Sequence, residues 1–240
     1  MPSTRPPRAA WAAMAASSPC ARSHARSAAV ALLPGSRAAE IEHLASRFFQ
    51  AAALVQKARP ATHFIVPVVP ALRTQVTTAA QASGLGAALK LADAQSHLAL
   101  AACDVALVAS GTATLEAALY KRPMVVAYAM PQLSYRLMRR RRQLPWVGLP
   151  NILCAPPSGL RRPAGVTPHQ FADAPGAPFV VPELIQDTAT PQALAAAVLD
   201  WLDAPQKTAA LRTRFETLHL SLRRDTARAA TDAIETLLAR

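Results

Sequence analysis

The sequence predicts an α/β fold: a Rossmann-like, doubly wound parallel sheet followed by C-terminal helices. Three observations carry this. Short, wholly apolar runs alternate with helix-period segments from Ala28 to Tyr128. Two of those runs end in glycine-containing turns, Pro34-Gly35-Ser36 and Ser110-Gly111-Thr112. Three helical patterns then close the chain from Pro191 onward. Continuous apolar strands are the mark of a sheet covered on both faces, and right-handed crossovers wind such a sheet in both directions from its middle.

The elements follow in order. Residues 28–33 (AAVALL) read as the first strand, ended by Pro34-Gly35-Ser36. Ile41, Leu44, Phe48 and Leu54 then fall on helical spacing up to Arg59-Pro60, where proline ends the helix. Phe64 to Val69 read as a strand, 71–82 as a helix, 88–91 as a brief strand and 94–102 as a helix. Asp104 to Ala109 is a strand, Thr112 to Tyr120 a helix, and Met124 to Tyr128 a strand. Pro191 after Thr190 suits a helix start, and helices are expected over 191–203, 206–221 and 225–239. Residues 155–180 carry six prolines and read as a long irregular insertion. Residues 1–26 hold four Arg and no acid, and read as a disordered leader or a misplaced start.

Composition removes several classes. The chain has 240 residues, ample for a buried core. Its apolar fraction is 52%, nearly half of it alanine, with 5% aromatics, so the core is Ala/Leu/Val packing. Cys20, Cys103 and Cys154 form an odd set without CxxC spacing, which argues against a disulfide framework or a Cys-rich zinc site. The six histidines lack ligand spacing, so no protein-bound metal is expected. No apolar run reaches the length of a membrane-spanning helix. The net charge of +12 favours anionic partners, either phosphorylated ligands or acidic lipid.

Five segments carry chemistry. Gly35-Ser36-Arg37 sits where a strand meets a helix, the place where a doubly wound sheet binds anions. There Gly35 admits close backbone approach, Ser36 offers a hydroxyl and Arg37 a forked cation. Ser110-Gly111-Thr112 repeats the arrangement, and Glu116 one turn on can accept from ribose hydroxyls. Each loop also reads as an ordinary capped turn, but two on one sheet favour a ligand. Pro150-Asn151 is a Pro-initiated turn whose Asn151 either meets a ligand or caps the turn. Val181-Pro182-Glu183 reads as a helix start with an acidic first turn. Arg136, Arg139, Arg140, Arg141 and Arg142, followed by Trp146, suit an anionic membrane surface; a nucleic-acid partner is not expected, since no binding module accompanies them.

Read together and in order, LLPGSRAAEIEHL, ASGTATLEAAL, PMVVAY, GLPNILC and VPELIQDTATPQALA resemble lipid-A-disaccharide synthase, a glycosyltransferase of the GT-B fold. The likeness runs from about Ala28 to the C-terminus and covers that family's C-terminal, donor-binding half. It implies transfer of 2,3-diacylglucosamine from UDP-2,3-diacylglucosamine to the lipid monosaccharide 2,3-diacylglucosamine 1-phosphate, giving lipid A disaccharide 1-phosphate and UDP. It implies an inverting enzyme with no cofactor, cytoplasmic and peripheral to the inner membrane. Residues 27–205 are then a UDP-sugar-binding domain and 206–240 its C-terminal helices. The UDP-sugar set is Gly35, Ser36, Arg37, Ser110, Gly111, Thr112, Glu116, Tyr128 (packing by the uracil), Asn151, Glu183 and Gln186. The general base is expected in the family's N-terminal acceptor half, which has no counterpart here. The partner is accordingly a separate acceptor-domain chain, or a second copy in a homodimer through the C-terminal segments. The competing readings are a non-catalytic UDP-sugar-binding remnant and a peripheral membrane interaction protein.

Overall fold

The computed structural model describes residues 27–132, 135, 146–155 and 180–239. The leader 1–26, residues 156–179 of the Pro-rich stretch, and Arg136, Arg139, Arg140, Arg141 and Arg142 lie outside the described residues.

Six parallel strands form one sheet. They are β1 (Ala29–Leu33), β2 (His63–Val68), β3 (Leu89–Asp93), β4 (Val105–Ala109), β5 (Met124–Tyr128) and β6 (Glu183–Ile185), in the order β3-β2-β1-β4-β5-β6. The helices between them are α1 (Ala38–Ala58), α2 (Arg73–Gln81, entered through a 3-10 turn at Pro70–Leu72), α3 (Ser96–Ala102), α4 (Thr112–Leu119) and α5 (Leu149–Cys154). After β6 come α6 (Pro191–Asp203), α7 (Pro205–Leu222) and α8 (Thr226–Leu238). The strand order reverses between β1 and β4, which pair Val30 with Val105 through Leu33 with Val108. Doubly wound sheets open a crevice at that reversal, outside the carboxyl ends of the strands.

The apolar runs explain the layers. All of β4 is buried, as is β1 beyond Ala29, because helices cover both faces. Helix α1 turns Ile41, Leu44, Phe48, Ala52 and Val55 inward, a stripe of period 3.6, against α6. Its counterpart on α6 is Leu194, Ala195, Val198 and Trp201. Thr190 caps α6 by accepting from the Ala193 N–H at 3.1 Å, and the buried Trp201 indole donates to the Met124 carbonyl of β5 at 3.1 Å. Arg59 and Asp203 pair at 2.6 Å across the C-terminal ends of α1 and α6. At the other edge of β1, the Ala29 N–H donates to the Asp104 carboxylate at 2.9 Å and fixes where β4 begins. Cys103 sits in the core, and burial pushes its thiol up to about 12, so it stays protonated and unreactive.

One element departs from the sequence reading. Val181-Pro182-Glu183 starts no helix; Glu183–Ile185 is the edge strand β6, pairing Val126 with Glu183 and Tyr128 with Ile185. Pro182 fits there because its missing N–H falls just before an edge strand, and its carbonyl accepts from Val126 at 2.9 Å. Helix α7 buries Leu211, Phe215 and Leu218 against α4, α5 and α6. Helix α8 buries nothing, and Ile234, Leu237 and Leu238 line one side of it in solvent. No helix among the described residues is long and apolar enough to cross a membrane.

Candidate functional site

The turn after β1 is shaped by its own helix. Gly35 has φ +132, a conformation that L side chains rarely adopt, and a Cβ there would stand 2.5 Å from Glu40 Oε2. Glycine is therefore what lets the Glu40 side chain fold back over the turn. The carboxylate accepts from the Ser36 N–H at 2.8 Å and the Arg37 N–H at 3.3 Å, and pairs with Arg37 Nη1 at 2.9 Å. A glutamate at the third helical position reaching back in this way satisfies amide groups that the first turn leaves open. The two turn amides leading into α1 are thus already occupied, while the Arg37 guanidinium, 81% exposed, stands out into solvent.

The turn after β4 is built differently. Gly111 has φ +152, and a Cβ there would meet nothing within 4 Å. No side chain caps α4 at Gly111. Its opening amides at Thr112 and Ala113, residues that line the cavity described next, therefore have no side-chain cap, and the positive end of the helix dipole lies with them. Ser110 is turned away, its hydroxyl donating to the Val147 carbonyl at 2.7 Å. Thr114 donates to Gly111 O at 2.7 Å and holds the turn from inside.

Both turns open on one cavity of about 530 Å³. Gly35, Ser36 and Arg37 line it from the β1 turn, Ser110, Gly111 and Thr112 from the β4 turn, and Glu116 from one turn further along α4. The carboxyl end of β2, Pro67 to Val69, and Ser96 at the start of α3 complete the rim. This volume suits a nucleotide-sized ligand. Arg37 is the one cation among the described residues of its wall.

Seven of the sequence-derived residues are therefore brought together, and four are not. Tyr128, at the end of β5, is half-buried outside the cavity wall; burial, and next the nearby Glu40 charge, push its phenol above the usual range. Asn151 is wholly buried. Its amide nitrogen donates to Val181 O at 2.9 Å and Glu183 Oε1 at 2.8 Å, and its oxygen accepts from the Val180 and Val181 amides. Glu183, 6% exposed, accepts from Val147 N and Gly148 N, each at 2.8 Å. Gln186 is buried at φ +55 and brackets Met130, accepting from its N–H at 3.3 Å and donating to its carbonyl at 3.1 Å. These three side chains face the main chain rather than the cavity. Trp146, expected at a membrane surface, is 2% exposed and packed inside, because the chain turns inward there to meet Glu183. Glu40 also lines the cavity and lies outside the sequence-derived set; its signal is a glutamate three positions past Arg37.

A parallel, doubly wound sheet in this order, with two glycine turns facing a cavity at its reversal, has the architecture of a GT-B-like glycosyltransferase fold. Solved structures agree on the fold. Spinosyn rhamnosyltransferase SpnG, complexed with thymidine diphosphate, superposes with a TM-score of 0.53 at 16% identity, over 86% of this chain and 45% of that one. TarM superposes at 0.51 and 11% identity, over 91% of this chain and 36% of its own. The family model LpxB, lipid-A-disaccharide synthetase, matches residues 20–156, more than half of the chain, and the chain belongs to that family. Lipid-A-disaccharide synthase of Albidiferax ferrireducens is 56% identical over 213 residues, 87% of this chain and 49% of the relative. That of Pseudomonas fluorescens is 43% identical over 211 residues, 87% of this chain and 48% of the relative. The chain spans about half the length of the curated relatives it matches.

Proposed function

We propose that the cavity binds a UDP-sugar and that this chain supplies the donor-binding half of a lipid-A-disaccharide synthase. The reaction is transfer of 2,3-diacylglucosamine from UDP-2,3-diacylglucosamine to 2,3-diacylglucosamine 1-phosphate, releasing UDP. The observation that carries the reading is the convergence of Gly35–Arg37 and Ser110–Thr112 on one cavity at the β1/β4 reversal. The two turns divide the work. The uncapped amides at the start of α4 receive diphosphate oxygens, since Glu40 already occupies the Ser36 and Arg37 amides of the other turn. Arg37 leaves Glu40 to neutralise the charge that grows on the diphosphate as the sugar departs. Glu116 accepts from the ribose hydroxyls. The acceptor and the base that deprotonates it belong to the other half of the relatives' length. The arginine-rich stretch Arg136–Arg142 suits a protein peripheral to the cytoplasmic face of an anionic membrane.

Titration of UDP into the purified chain tests the reading. Saturable binding is expected. Glu116→Ala should weaken it about tenfold or more, the loss that follows from removing a charged acceptor. Absence of binding by the folded chain overturns the reading.

We also propose a second copy of the chain as partner, supported by α8. Its face of Ile234, Leu237 and Leu238 is exposed along the helix and suits a second copy of the chain. Sedimentation should show a dimer, and Leu237→Asp should shift it to monomer with UDP binding unchanged. A monomeric wild type overturns the dimer.

A further inference from the structure

We propose that Glu183 is a positioning residue for donor binding: from outside the cavity it holds the β4–α4 turn through the main chain at Val147–Gly148. The inference rests on the UDP-sugar reading of the cavity.

A buried carboxylate is costly unless hydrogen bonds replace its water. Glu183, 6% exposed on β6, receives them from Val147 N, Gly148 N and Asn151 Nδ2, each at 2.8 Å. Residue 148 has to be glycine for this, since a Cβ there would stand 2.9 Å from Glu183 Oε1. The segment so held then grips the cavity turn from behind at two points. The Val147 carbonyl accepts the Ser110 hydroxyl at 2.7 Å. The Leu149 N–H donates to Thr114 Oγ1 at 3.3 Å, and that hydroxyl donates to Gly111 O. Ser110 and Thr114 flank Gly111, which has no side chain of its own to fix it and meets nothing in front. Glu183, Val147 and Gly148 do not line the cavity. Among the described residues, this path connects Glu183 to the cavity turn. The outcome is preorganisation: the α4 amides are aimed before the diphosphate arrives.

Glu183→Gln separates the roles. Glutamine keeps the shape, and its carbonyl still serves Gly148 N and Asn151. Its amide group, however, faces the Val147 N–H, donor against donor, and releases the residue that holds Ser110. A folded Glu183→Gln chain should bind UDP about tenfold more weakly. The double variant with Ser110→Ala should be no weaker than the weaker single variant, because both cut one path. Coupling is reciprocal, so the wild-type chain offers a second readout that involves no substitution. Saturating UDP should slow hydrogen exchange at Val147 and Gly148, although neither touches the ligand. That measurement decides if Glu183→Gln does not fold. Wild-type affinity in a folded Glu183→Gln chain, multiplying losses in the double variant, or unchanged exchange at Val147 and Gly148 each overturns the inference. If Glu116→Ala weakens UDP while Glu183→Gln does not, the UDP reading stands and only this inference falls. No binding by the wild type overturns both.

Discussion

Arg37→Ala should weaken UDP binding about 10–100-fold and leave the fold intact. The loss follows from charge-assisted hydrogen bonds, worth about 1.5–3 kcal/mol to an ionised partner. The intact fold follows from geometry. The guanidinium is 81% exposed, and its one bond among the described residues is the pair with Glu40, a surface pair worth at most about 1 kcal/mol. Glu40 keeps its two main-chain amides when Arg37 is removed, so the turn stays closed. Arg37→Lys should recover part of the affinity but not all, because an ammonium is a point charge without the fork that matches two oxygens. Raising salt should weaken the wild type more than the alanine variant. Calorimetry at two ionic strengths reads all of this. An Arg37→Ala chain that binds UDP like the wild type would remove the cation from the site.

Asn151→Ala should be the most damaging single change to stability, at about 3–5 kcal/mol. The side-chain amide has two donors and two acceptor positions, and all four are used inside the protein. Alanine would leave the Val180 and Val181 amides and the Val181 carbonyl without that partner, and would remove one donor from the buried Glu183 carboxylate. A domain holds only about 5–15 kcal/mol in total, so the melting temperature should fall by roughly 10 °C. Asn151→Asp should do no better, since it sets a second carboxylate against Glu183 at 2.8 Å spacing. Thermal unfolding followed by circular dichroism measures both. A drop of under a degree would mean that water replaces the amide at no cost.

The sheet was legible because its strands are apolar on both faces, and such runs have few other uses. Met124–Tyr128 and Pro191–Asp203 fall where the sequence places them. The two glycine turns that line the cavity were legible because glycine and hydroxyl residues at a strand-to-helix junction follow from local chemistry. What failed was decided by distant partners. Val181-Pro182-Glu183 has the local signature of a helix start, and only pairing with Val126 makes it a strand. Asn151 and Gln186 carry the same functional groups whether they face a ligand or the backbone, and burial alone tells the two apart. Trp146 follows an arginine run in sequence, yet its place is set by Glu183, 37 positions on.

The central position of β1 also bears on how the molecule comes to exist. It is made first of the six strands, yet one neighbour, β4, lies far along the chain: the Ala29 amide meets Asp104 across 75 residues. At about 5–20 residues per second, a ribosome needs about 4–15 s to deliver that partner. During that interval one side of this wholly apolar strand stays unpaired even after β2 has joined the other, a ready template for association with other nascent chains. Slower emergence prolongs the hazard and a holdase shields it, so yield in expression should respond to chaperone supply more than to changes on the finished surface.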